Sequence, residues 1–485
     1  LFIILRYLNY LVSPSLTGDR TTLADEPSAA STGGSSSGVT TTSITFSWNK
    51  GDGAGQLVLI KAGSSVDADP ADGTSYTASA VFGAGSELGT GNYAVYQGTD
   101  TFVTVSGLDP NETYYFEVFE VNGSGESSNY LTAPTLTGNQ VTLDDAPSAA
   151  ASNLVITNVT TSGMTLTWTS GNGNARVVVA RAVSAVDAAP VNGNAYAASA
   201  VFGAGQFTGA GNYVVYNGNG NTVNITGLSQ DTVYHFAVYE YNGAAGSENF
   251  LTASPATGSE NTAIAVDITV LLEGPFNGTD MNTDLNVSGY LPLAQPYNAA
   301  PWNYAGTEAV GSIPNADIVD WVYVEVRKAS SAATAVSGTV QASAAGFLLK
   351  NGSVVGLDGS SSLVLSPQNA GYGELYVVVY HRNHIAVLSA NTLTFNGAAF
   401  AFDYTSGAAQ AYGVDALKLG GGKYLLYAGN ASVAESVIGA SDRSAAWTER
   451  MTSGYKNTDV NLDGNVDSED RSIIYNNSGE DDQTP

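Results

Sequence analysis

The twelve residues DVNLDGNVDSED at 459–470 carry a spacing that points to defined chemistry. Side-chain oxygens stand at positions 1, 3, 5, 9 and 12 of this segment: Asp459, Asn461, Asp463, Asp467 and Asp470. Asn465 at position 7 is placed to offer its backbone carbonyl, and Gly464 at position 6 permits a sharp turn. A calcium ion takes six to eight oxygens, and a loop of this spacing brings that number together. The expected cofactor is therefore Ca2+, held by these six residues. The competing reading is an acidic turn that binds nothing, and it leaves the full donor pattern unexplained.

Other chemistry-bearing residues are sparse. The chain has 3 His and 0 Cys, so thiolate metal sites, disulfides and cysteine nucleophiles are absent. His381 and His384 form HRNH directly after an apolar run, with no HExxH pattern, so a structural role is expected for them. The glycine strings GAGSELGTG (83–91) and GAGQFTGAG (203–211) lack a P-loop lysine and a following helix, and read as loops. No Gly-x-Ser-x-Gly elbow is present. The expectation is a chain that is not an enzyme.

The elements that must position the loop are strands. Only 12% of the residues are charged, while 55 are glycine, a mix that suits short strands and turns and disfavours helices. The formal net charge of −28 argues against nucleic acid, because phosphate binding needs a basic face. Trp48 and Trp168 lie 120 positions apart, and the same offset links Pro27 to Pro147, Leu108 to Leu228 and Tyr114 to Tyr234. SAVFGAG recurs unchanged at 79–85 and 199–205. Ile44, Phe46 and Trp48 alternate with polar residues, as do Met164, Leu166 and Trp168, which marks a strand with one buried face.

A strand Trp, a Leu-x-Pro-x-x-x-Tyr corner (Leu108 to Tyr114) and a Tyr-x-Phe-x-Val strand ending in Asn-Gly together resemble the fibronectin type III fold. The resemblance is good in the second half of each repeat and weakens over 62–98, which reads as an insertion of the kind found in large secreted proteins of Bacteroidetes-type bacteria. It implies that Trp48, Trp168, Tyr114 and Tyr234 are core residues, with each corner tyrosine hydroxyl bonded to nearby backbone. The fold class expected is all-β, with tandem Ig-like or fibronectin type III-like sandwiches at 27–145 and 146–263.

Residues 1–26 read as the last strand and linker of a preceding module, because 10–30 match 130–150 at the same offset. The alternative is a strand donated to a neighbouring subunit. Residues 264–427 hold β-branched runs such as DITVLL, VDWVYVEV and ELYVVVY, and imply a further sandwich of roughly seven to nine strands. The stretch from 271 onward resembles a C-terminal domain of hemagglutinin-like Bacteroidetes proteins. With Asp at position 12, the calcium loop resembles dockerin, so 428–485 is expected to be a small helical calcium-binding tail. A helix is expected to start at Ile473–Tyr475. Asp442 and Trp447 stand where a first loop would place the counterparts of Asp470 and Tyr475, without its carboxylates.

The function expected from these features is a non-catalytic extracellular structural or adhesive protein, such as a subunit of a bacterial surface filament or adhesin stalk. The alternative is a glycan- or host-protein-binding module, with exposed Trp302 or Trp321 stacking on sugars. The partners expected are other copies of the chain, joined as a homopolymer through sandwich ends or a donated N-terminal strand, and a glycan or host surface. Neither nucleic acid nor a transmembrane segment is expected, and the setting is extracellular, secreted or cell-surface.

Overall fold

A computed structural model describes residues 18–366, 374–432 and 435–485. Among the described residues the fold is nearly all-β, with 42% in strands and 8% helical. Of residues 10–26, read as a last strand and linker, 10–17 lie outside the described residues. Residues 18–26 are described and form no strand. They lie along the first module, where Ala24 N–H donates to Ser127 O (2.9 Å) and Asn129 Nδ2 donates to Ala24 O (2.8 Å). Asp144 N–H to Ser247 O and Asn249 Nδ2 to Asp144 O repeat these bonds 120 residues on.

The first module pairs a three-stranded sheet with a five-stranded one. Ser43–Asn49 sits between Thr32–Ser37 and Phe102–Ser106, in a register that sets Ile44 opposite Val105 and Phe46 opposite Val103. Its burial alternates residue by residue, and Phe46 stacks on Phe116 of the facing sheet at 4.4 Å. The second module repeats the register, with Met164 opposite Ile225 and Leu166 opposite Val223.

The five-stranded sheet does not alternate. In Gly55–Ala62, the five residues from Gln56 to Ile60 are all buried. The segment read as an insertion explains this. Val66, Ala68, Tyr76 and Ala78 cover the outer face of the sheet and pack with Leu57, Leu59, Phe119 and Tyr130. A strand covered on both faces has no use for a polar side.

All four named core residues are buried: Trp48, Trp168, Tyr114 and Tyr234. Tyr114 hydroxyl accepts from Asp109 N–H, and Tyr234 hydroxyl accepts from Ser229 N–H, each at 2.9 Å. These are the tyrosine corners.

The terminal β domain joins nine strands by hydrogen bonds into one continuous sheet. Ile318–Ala329 lies near its centre, between Val340–Leu349 and Glu374–His381. One large core holds Trp321, Phe347, Tyr297 and Tyr404. Trp321 is fully buried and its Nε1 donates to Pro292 O (2.9 Å), so it is not an exposed stacking residue. Its neighbour Asp320 points out of this apolar strand into a buried polar network described below.

Candidate functional site

The loop at 459–470 closes on itself. Asp459 Oδ1 and Oδ2 accept from Asp463 N–H (3.2 Å) and Gly464 N–H (2.9 Å). Asn461 Nδ2 donates to Asp463 Oδ2 (3.2 Å), which brings the side chains at positions 3 and 5 together. Gly464 has φ +89°, a left-handed backbone that suits glycine at the sharp turn. Asn465 N–H donates to Asp463 Oδ1, and Asn465 Oδ1 accepts from Ser453 Oγ.

Asp470 returns to the start of the loop, where its carboxylate accepts from Val460 N–H and Asp467 N–H, both at 2.8 Å. Asp467 accepts from Glu469 N–H and caps the helix Ser468–Asn476. That helix starts five residues before Ile473, the start expected from the sequence. The capping carboxylates of Asp467 and Asp470 supply the first turn and leave the apolar residues to its middle.

Asp459 and Asp470 are fully buried. Burial pushes Asp459 up to about 7 and Asp470 up to about 6. The two buried carboxyls accept backbone N–H groups and form no ion pair of their own among the described residues, although the Arg382 guanidinium offsets part of the rise at Asp459; they make a donor set suited to a divalent ion. Even so, no three His, Cys, Asp or Glu side chains are gathered as a ligand cluster among the described residues. Asp442 copies only the capping part: it accepts from Ser432 N–H and Gly439 N–H, as Asp470 does from Val460 and Asp467, 28 residues on.

The loop is held against the sheet by the HRNH turn. Asn383 Nδ2 donates to Asp459 O (2.7 Å), and the Arg382 guanidinium donates to Lys456 O. Arg382 also pairs with Asp320 (2.8 Å) and lies over the Tyr455 ring at 4.1 Å, while Tyr455 hydroxyl donates to Asp320 Oδ1 (2.7 Å). Burial alone would raise Asp320, but Arg382 and His381 hold its carboxyl down at about 2. Gly274 seals the contact: a Cβ there would lie 1.8 Å from Val460 O. Behind it, Ile385, Ala428, Ile438, Val460 and Ile474 share one small core.

The two histidines are spent inside this network. Gly274 N–H donates to His384 Nε2 (3.3 Å), which leaves the proton on His384 Nδ1 to face His381 Nδ1 (3.0 Å) and Asn383 Oδ1 (2.8 Å). His381 Nε2 then donates to Asp320 Oδ2 (3.2 Å). Every ring nitrogen has a partner when both rings are neutral, and burial lowers the pKa of each. Asp320, Arg382, Asn383 and Tyr455 were not picked out by sequence reasoning. The available signal was Asp320 itself, a lone carboxylate inside the apolar run VDWVYVEV, which needs a buried partner.

The fold and the two tyrosine corners define a protein of tandem fibronectin type III-like sandwiches followed by a larger β domain. Residues 34–133, within the first module, match the model of the purple acid phosphatase N-terminal domain. No curated protein matches the chain. Among 322 solved chains that match is the two-domain fibronectin type III segment of chicken tenascin. It is 14% identical, covers 48% of this chain and 99% of that one, and has a TM-score of 0.20.

The phosphatase-domain match overturns two expectations, that of a non-catalytic structural or adhesive protein and that of a chain that is not an enzyme. The match is to that family's N-terminal domain and lies within the first module. The physical reason for the error is that repeated sandwiches and low charge density determine an architecture, and one architecture serves many functions. No helix among the described residues is long and apolar enough to cross a membrane.

Proposed function

We propose that this chain works in phosphate-ester hydrolysis, as a phosphatase or as the module-bearing part of one. One observation carries the reading: the match to a purple acid phosphatase N-terminal domain over residues 34–133, from the first strand of the first module into its last. No catalytic residue is assigned. The test is release of p-nitrophenol from p-nitrophenyl phosphate by the full chain, at acidic and neutral pH, with Fe(III), Zn(II), Mn(II) or a chelator. Metal-dependent release above metal-only controls supports the reading. No release under any condition, with no shift of the melting temperature by inorganic phosphate, overturns it.

We further infer that the loop at 459–470 binds one Ca2+ through Asp459, Asn461, Asp463, the carbonyl of Asn465, Asp467 and Asp470. The support is the donor spacing together with the two buried carboxyls, Asp459 and Asp470. Bound calcium would supply positive charge and hold the loop against the HRNH turn. The setting that suits such a loop is extracellular, where modules with dissociation constants of about 10⁻⁴–10⁻³ M are filled. Asp463→Ala leaves the carboxyls of Asp459 and Asp470 in place. It is expected to abolish a calcium-induced rise in melting temperature and terbium luminescence. An equal response in the variant removes the assignment.

A further inference from the structure

A cleft of about 400 Å³ opens between the sheet of the terminal domain and the C-terminal segment that crosses it. Trp302 and Tyr380 border it, and so do the carboxylates of Glu325, Glu435 and Asp482. No Lys or Arg lines it. Glu325 is already neutralised from inside the core by Arg327, which is 2.7 Å away and almost fully buried. Glu435 and Asp482 take part in no ion pair among the described residues. The two histidines on the wall spend their ring nitrogens on Asp320, Asn383, Gly274 and each other, and burial lowers the pKa of both. Asn430 adds a second kind of demand, because its Oδ1 is buried on this lining with no donor.

We propose that this cleft binds a primary alkylammonium group, of the kind carried by a lysine side chain or a free diamine. Aromatic faces attract a cation through their quadrupole, by about 0.5–2 kcal/mol depending on desolvation. The carboxylates give the charge term, and the orphaned Asn430 oxygen takes one of the ammonium N–H donors, which a quaternary ammonium cannot offer. A phosphate or other anion is repelled by the same carboxylates. The site is therefore separate from any phosphoester chemistry and does not depend on that reading.

The test is calorimetric titration of the full chain with Nα-acetyl-lysine methylamide and with cadaverine, against the neutral Nα-acetyl-norleucine methylamide. Both amines are expected to bind, and the norleucine analogue to bind at least about tenfold more weakly, a gap of about 1.4 kcal/mol. Tighter binding of the lysine derivative assigns a peptide ligand, and tighter binding of cadaverine a free amine. Trp302→Leu and Glu435→Gln are each expected to weaken amine binding about fivefold or more, with an unchanged circular dichroism spectrum. Glu435 is exposed, so its variant does not depend on a rebuilt core. Equal affinity for the neutral analogue, or no binding of either amine, overturns the proposal.

Discussion

Arg176 and Glu240 form an ion pair inside the second module, at 2.9 Å, where the first module places Gln56 against Glu120 at 3.0 Å. In both modules the buried glutamate also accepts two glycine N–H groups, Gly51 and Gly53 in one and Gly171 and Gly173 in the other. In the first module Ser31 Oγ donates to Glu120 as well, so that acceptor is satisfied by two neutral side-chain donors, whereas in the second, where Ala151 replaces the serine, it is satisfied by one charged donor. Arg176→Gln is expected to cost about 1–2 kcal/mol, less than the loss of the donor altogether, because Gln56 supplies one part of the neutral solution in the first repeat and Ala151 withholds the other. Arg176→Leu leaves Glu240 buried without its counter-charge and is expected to cost about 3–5 kcal/mol. Scanning calorimetry of the full chain should show one transition lowered by both variants, and further by the leucine variant than by the glutamine one.

The tyrosine corners make equal demands on their modules. Tyr114→Phe and Tyr234→Phe each leave one partly buried N–H, of Asp109 or Ser229, without its acceptor. Each is expected to cost about 1–2 kcal/mol. Chemical denaturation of the two variants should give matching losses. A loss in only one module would mean that the two bonds, alike at 2.9 Å, differ in energy.

Asp320 holds the clamp between sheet and loop. Asp320→Asn leaves Arg382 buried without a counter-charge, at an expected cost of about 3–5 kcal/mol to the terminal domain. The effect should travel to the loop through Tyr455 and Arg382. Amide exchange of residues 460–467 is expected to speed up, while exchange in the first two modules stays unchanged.

The two clamp histidines should resist protonation. Their folded pKa values lie below the ordinary 6.5 because of burial. Between the folded and unfolded values the unfolded chain binds more protons, so stability rises with pH there. Their contribution is complete above about 6.5 and is lost as pH falls below it. Asp459 and Asp470, raised by burial, act in the opposite sense, so the histidines are best followed individually. Nitrogen NMR of the imidazoles should show each ring titrating below an ordinary imidazole, His384 further below than His381; a titration midpoint at 6.5 in either ring would falsify this account.

Much of the fold was legible in local pattern. The 120-residue offset located both modules, and the alternation of Ile44, Phe46 and Trp48 identified a one-faced strand whose partner register the structure repeats. The corner tyrosines were legible because a hydroxyl six residues after a corner Leu has one nearby backbone to meet. The run QLVLI was harder to interpret, since its two-sided burial depends on an insertion that folds back from later in the chain.

The loop at 459–470 shows the same division. Its donor types, the glycine at the turn and the capping carboxylates were set by the sequence, because they act within twelve residues. What only the tertiary structure decided was what the loop leans on. Asp320, Arg382, Asn383 and Gly274 come from three distant segments, and their meeting follows from burial of one shared core and from the need to pair each buried charge. The same packing spent both histidines as hydrogen-bond partners and left a cleft beside them, lined by carboxylates far apart in the chain. Short-range spacing specifies a ligand set; only the packed chain determines which charges are compensated and which face an open cavity.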